Sequence, residues 1–322
     1  MAIKNILDKE LEKTIFLEFF YGKKIVGEHF LTENRKLIFE KHGILPNIDE
    51  YIDIFIDYIN TLTFRDETQT IYLTDNIWED IPNCFFKNVN IKIEYKETDE
   101  TNIKGSFIGV VGDLEDNQLP LLKGKFILNC DSYSIDKNVS TIFAHELTHA
   151  YEEFKRKENG AESMFDYAKR IKYPDNVDRH SSLNMIKRVI SNLVYYTTKF
   201  EIRAYIASIY GTLRQNATDI SSAHDAFEII KNTVAYNNYV IIGKNIDYLW
   251  EVLDSSTVKT IQHAWYNATG EKKDPFLILT EIERRYNKQW KKFKRTCAKI
   301  AYDVYEKHSN TFTIDSNNSV NN

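Results

Sequence analysis

Residues 123–157 read KGKFILNCDSYSIDKNVSTIFAHELTHAYEEFKRK, and the pattern changes character part-way through. The first part, Lys123–Asn129, is a short apolar run of strand type. From Asn138 the spacing turns helical. Phe143, Leu147, Ala150 and Phe154 recur every three or four residues and make one apolar stripe. Asp136 or Asn138 stands where an N-cap belongs. A strand that leads directly into a helix is therefore expected here. His145 and His149 fall beside the apolar stripe rather than within it, free to line a cleft.

Upstream of this stretch the patterns are mixed. Thr14–Tyr21 is apolar and aromatic and fits a buried strand or part of a helix. Ile48–Leu62 has helical spacing, with Ile52, Phe55, Ile56 and Ile59 on one stripe. Gln69–Thr74, Val89–Lys96 and Ser106–Val111 join Lys123–Asn129 as strand-like runs. Downstream, Ala161–Ile171, Ser181–Gln215, Ala223–Val234, Thr257–Asn267 and Pro275–Lys307 all read as helices. Strands first and helices after predict an α+β fold rather than alternating βαβ units. The expected division is an N-terminal α/β segment (1–68), a core holding the strands and the HELTH and Glu201 helices (69–216), a helical subdomain (217–309) and a flexible polar tail (310–322).

The chemistry sits in HELTH, residues 145–149. Residues four apart on a helix share a face, so His145 and His149 would aim two imidazoles at one ion. Zinc suits imidazole, and a catalytic zinc site takes three protein ligands and keeps one position open. Glu146, beside the first histidine, is placed to act as general base on a water. A third ligand is needed. Glu152 and Lys155 stand where a metzincin continuation would require Gly and His, so that class is excluded. Glu162, Asp166, His180, Glu201, Asp219 and His224 are the downstream candidates.

Glu201 stands out among them. Read as one helix, Ser181–Gln215 carries Ile186, Ile190, Leu193, Thr197, Glu201, Ala204, Ser208 and Gly211 on a single stripe. A lone carboxylate on a core-facing stripe needs a partner, because a buried unpaired charge is costly. The small residues around it let a neighbouring helix come close, and a metal held by that helix would satisfy the carboxylate. The plain alternative is an ion pair, for example with Arg203.

HELTH followed on a later helix by EIRAY resembles the gluzincin branch of the zinc metallopeptidases. The likeness covers Lys123–Tyr151 and Phe200–Tyr205 and is diffuse elsewhere. It implies one zinc per chain on His145, His149 and Glu201, with Glu146 as catalytic base. It also implies a zincin-like fold: a mixed, twisted N-terminal sheet packed on the HELTH helix, then a largely helical C-terminal region. An edge strand in such folds borders the cleft and pairs with an extended peptide. Phe126, Ile127, Leu128 and Asn129 are the candidates for that strand. A donor for the developing oxyanion is also required. Tyr205, His224, Tyr236 and His263 are the candidates, and the sequence does not choose among them.

The activity expected from this resemblance is metalloendopeptidase hydrolysis of a peptide or protein substrate. The alternative is a virion-associated or other interaction protein that keeps the fold without peptidase activity. A toxin-like peptidase with one target protein would look the same, because specificity lies in loop-built subsites. Assembly into a larger complex is left open.

Composition limits the other classes. With 42 Lys+Arg against 47 Asp+Glu, the net charge of −5 gives no electrostatic reason to bind nucleic acid. Lys291, Lys292, Lys294 and Arg295 beside Trp290 and Phe293 read as a solvated helix face. The glycines at 105, 109 and 112 lack dinucleotide spacing. Cys84, Cys130 and Cys297 are odd in number and without chelating spacing, which fits a reducing compartment. No signal-peptide core and no membrane-length apolar run is present, so a cytoplasmic or virion-associated chain is expected. Abundant Ile, Lys, Asn and Tyr are a compositional hint of an AT-rich genome, phage genomes included.

Overall fold

The computed structural model describes residues 2–25, 45, 47–60, 70–73, 81, 90–95, 105–111, 122–130, 138–171 and 182–318. The helices are α1 (Ala2–Ile25), α2 (Ile48–Asn60), α3 (Asn138–Glu158), α4 (Met164–Ile171), α5 (Ser182–Tyr196), α6 (Lys199–Gln215), α7 (Ala223–Lys231), α8 (Val234–Glu251), α9 (Ser255–Thr269) and α10 (Pro275–Asn318). A single 3₁₀ turn, Ala217–Asp219, joins α6 to α7.

The expected α+β, zincin-like class is corrected by this arrangement: the protein is all-α in its described core. Apart from Leu45 and Ile81, every buried hydrophobic side chain described belongs to a helix or to a turn between helices. The chain opens with a helix of that core, not with a sheet. Leu7, Leu11, Ile15 and Phe19 recur every four residues along α1 and are all buried. That face packs on α10 and α7. Tyr236 donates to Asp8, Lys294 pairs with Glu10, and the Phe19 ring lies 5.6 Å from Tyr302 and 5.0 Å from Tyr305. Of the two readings open for Thr14–Tyr21, strand or helix, the helix is the one found. Aromatic and β-branched residues in TIFLEFFY fit a pleated surface, but tertiary packing of the i, i+4 stripe overrides that local preference.

Four short runs have paired, extended backbone: β1 (Thr70–Leu73), β2 (Asn90–Tyr95), β3 (Gly105–Val111) and β4 (Leu122–Cys130), in the order β1-β2-β4-β3. β3 and β4 lie against α3, while the buried side chains described, Leu45 and Ile81 apart, are those of the helices and the turns between them. Their register corrects a second expectation. In β4, Phe126 lies opposite Ile91 of β2 and Phe107 of β3, Ile127 opposite Lys92 and Ser106, and Leu128 opposite Ile93 and Gly105. Asn129 pairs with Glu94. Phe126–Leu128 carry a ladder on both sides and have no free edge for a peptide, and Asn129 alone, paired only with β2, is too short to serve as the substrate edge.

Around the site three helices matter. Helix α6 is buried on almost all sides and lies along α3, where Ala204 and Ser208 meet His145, Thr212 meets Thr141 and Arg203 meets Glu152. Helix α2 covers α3 through Phe55 stacked on Phe143, with ring centroids 3.9 Å apart. Arg214 of α6 grips α2 through Asp49 at 3.0 Å and Asp53 at 2.6 Å, and Tyr210 donates to Asp49.

The single helix expected over Ser181–Gln215 is two helices. Thr197 Oγ1 donates to the Leu193 carbonyl at 2.7 Å, and Thr198 turns extended (φ −70°, ψ 155°) as N-cap of α6. Adjacent threonines offer the backbone local alternatives to helix continuation. The Ala223–Val234 reading also stops short. Thr233 accepts from the Tyr236 amide at 3.1 Å and starts α8, a helix the pattern did not reveal. Within α8, Gly243 has no room for a methyl group, since a Cβ there would stand 2.7 Å from the Tyr286 hydroxyl of α10. The last helix begins with Asp274 capping Phe276 at 2.9 Å and Pro275 at its first position. It runs to Asn318 where the sequence reading ended it at Lys307 and placed a flexible tail.

Candidate metal centre

Helix α3 presents His145 and His149 one turn apart on the side that meets α6. There Glu201 enters from the first turn of α6. The three residues form a group whose ligand atoms all lie within 4.8 Å of one another. His145 Nε2 is 3.0 Å from His149 Nε2 and 3.8 Å from Glu201 Oε2, and His149 Nε2 is 3.4 Å from Glu201 Oε1. Ligand atoms around a tetrahedral ion with bonds of 2.0–2.1 Å stand about 3.3 Å apart. The observed spacings bracket that value, so the residues fit an ion of this size. The donor set of two imidazoles and one carboxylate fits zinc, and also iron(II).

The surroundings prepare these groups. Glu201 is only 2% exposed and His149 6%. Burial holds the His145 imidazole well below its ordinary value, at about 4, with a smaller opposing contribution from a hydrogen bond to the Ala204 backbone. The ring is therefore neutral at pH 7 and has a lone pair to give. Its Nδ1 lies 3.2 Å from Ser208 Oγ, on the far side from Glu201. Tyr195 hydrogen-bonds the Glu201 carboxyl, and burial first and that carboxyl second push its phenol far up. The first turn of a helix also favours a carboxylate, because the free amides there carry positive partial charge. The bland reading of Glu201 as partner to Arg203 is set aside, since Arg203 pairs with Glu152 instead.

Glu146 is 7% exposed on the same helix and acts electrostatically on Tyr195 together with Glu201.

The remaining sequence candidates separate clearly. Tyr205 belongs to the site: its ring centroid is 5.3 Å from that of His145 and its oxygen accepts from Asn238 Nδ2 at 3.2 Å. Burial, then Glu201, raise its phenol well above the usual range, so it keeps its proton as a donor. His224 is exposed and 3.8 Å from Glu12. Tyr236 donates to Asp8 of α1, and His263 is exposed on α9 beside Asn267 at 3.4 Å. None of these three contacts is with a ligand group, which corrects the expectation of an oxyanion donor among His224, Tyr236 and His263. Glu162, Asp166 and Asp219 are exposed and outside the cluster. His180 lies outside the described residues.

Sequence reasoning missed Tyr195, Asn238 and the role of Ser208. Ser208 had a visible signal, because a residue seven after Glu201 lies on the same helix face. Tyr195 had none, since the bend between α5 and α6 brings it to the carboxylate.

The depressed His145 value gives a pH prediction for the metal-free protein. Unfolded histidine takes up a proton near pH 6.5 and the folded ring near 4. Stability contributed by the neutral ring is full above about 6.5 and is lost as pH falls toward 4. The loss is on the order of 3 kcal/mol. Urea unfolding at pH 7 and pH 4.5, for wild type and His145→Gln, should show the steeper decline in wild type.

No protein-family profile, curated protein or solved structure matches the chain. Among the described residues, no helix is long and apolar enough to cross a membrane.

Proposed function

We propose that this chain is a zinc-dependent peptidase of the gluzincin type, acting on a peptide or protein substrate. The observation that carries the reading is the convergence of His145, His149 and Glu201 at ligand spacing, with Glu146 next to the first histidine on the same helix. It rests on the site and not on the fold. When bound, zinc supplies Lewis acidity and a nucleophile at neutral pH.

The chain's own residues supply the rest. His145 and His149 present nitrogen lone pairs, and Glu201, fixed by Tyr195, presents a carboxylate oxygen. Glu146 accepts the proton of the attacking water and passes it to the leaving amine. Tyr205, held through its oxygen by Asn238, keeps an O–H to offer to the developing negative charge.

A second reading keeps the ion for structure alone, and the burial of Glu146 and Glu201 favours it. Two buried carboxyl groups beside a pair of histidines would serve packing around an ion as well as chemistry. One experiment separates the two. Purified protein is assayed for zinc and iron, then for cleavage of a mixed peptide library before and after chelation. Zinc near one per chain, with cleavage lost to the chelator and restored by zinc, supports the peptidase. Bound zinc without cleavage supports the structural ion, and no bound metal removes both.

A further inference from the structure

We infer that Ser208 is the positioning residue of the metal centre, taking the Nδ1 side of His145 so that Nε2 is left for the ion. The inference rests on the proposed metal reading and deepens it. A neutral imidazole has one N–H and one lone pair, and a ligand nitrogen must carry the lone pair. At His145 the division of space is explicit. Nε2 faces His149 at 3.0 Å and Glu201 at 3.8 Å, while Nδ1 faces Ser208 Oγ at 3.2 Å. A proton on Nδ1 has the serine oxygen as acceptor, and with the hydrogen bond of the same ring to the Ala204 backbone this favours the tautomer that ligates through Nε2.

The serine is itself held in place. It is 6% exposed and sits two turns beyond Glu201 on the same face of α6. Its carbonyl accepts from Thr212 Oγ1 at 3.0 Å, and that hydroxyl meets Thr141 Oγ1 of α3 at 3.0 Å. Helix α6 thus delivers both a ligand and the group that orients a ligand of the opposite helix. Thr212 bonds the Ser208 carbonyl and Thr141 rather than a ligand side chain, so Thr212→Ala separates the hold on the serine backbone from the serine hydroxyl itself.

The test compares wild type, Ser208→Ala and Thr212→Ala. Zinc affinity is read by competition with a chromophoric chelator, folding by melting temperature, and the His145 tautomer by long-range ¹⁵N–¹H spectra of the zinc-free protein. Outer-shell partners of a ligand histidine typically contribute 10–100-fold in metal affinity. Ser208→Ala should bind zinc about 10–100-fold more weakly and shift His145 toward the Nε2–H form, whereas Thr212→Ala, which keeps the Ser208 hydroxyl, should weaken binding less and leave the tautomer unshifted. Equal affinity in Ser208→Ala and wild type overturns the role of Ser208 and leaves the metal centre standing. Equal weakening in both variants also overturns it, as an effect of seam packing. If wild type takes up no zinc, the metal reading fails, and an unshifted tautomer in Ser208→Ala then overturns the contact on its own.

Discussion

Glu146→Gln is expected to hold zinc as wild type does and to cleave peptide about 10²–10⁴-fold more slowly, the span that a positioned acid–base group contributes. His145→Ala and His149→Ala are expected to lose the ion altogether. The division follows from what each side chain offers. Imidazole nitrogens 3.0 Å apart, with Glu201 alongside, define the place of the cation. Glu146 is next to His145 in sequence and is not among the three clustered residues, and the role proposed for its carboxyl is to move protons. Glutamine keeps the size of the side chain and removes the basic oxygen. Metal content and turnover, measured on the same preparations, decide the matter. Loss of zinc in Glu146→Gln comparable to that in His149→Ala would show the roles to be wrongly divided.

The second large effect is expected at Glu201. Glu201→Ala should weaken zinc binding by more than about 100-fold, beyond what outer-shell changes produce. Glu162→Ala and Asp166→Ala should leave it unchanged. The two control carboxylates are exposed on and before α4, whereas Glu201 is buried and faces both histidines at 3.4–3.8 Å. A metal titration on the three variants gives the answer, and zinc loss in either control with retention in Glu201→Ala would move the third ligand elsewhere.

The site was more legible than the fold, for a physical reason. HELTH encodes its geometry locally, because helix periodicity alone brings residues 145 and 149 together. Glu201 was readable as a charge that the apolar pattern could not otherwise tolerate. The bend at Thr197–Thr198 was not readable, since a break of two residues leaves the hydrophobic stripe of Ile190, Leu193 and Ala204 looking continuous. Tyr195 depends on that bend and was lost with it. The α+β expectation failed because local runs such as QTIYLT report extended backbone but not which layer makes the core. The supposed edge Phe126–Asn129 failed for a related reason. Its neighbours on either side, β2 and β3, come from two separate earlier stretches, and nothing in β4 itself tells how many strands will flank it.

The docking of α1 on α10 has a consequence for the order in which the molecule assembles. Helices α3 and α6 are roughly 60 residues apart along the chain, while Glu10 and Lys294 are separated by roughly 280. Closing the longer loop costs only about 1 kcal/mol more in chain entropy, but it requires the far partner to exist first. During synthesis the pair that forms the metal cradle is complete while α10 is still being made. Until then the stripe of Leu7, Leu11, Ile15 and Phe19 has at most α7 and α8 to cover part of it, and before they are made it has neither. The amino-terminal helix therefore spends the translation of most of the chain as an uncovered apolar surface, the kind of transient that chaperones shield and that drives self-association when they do not.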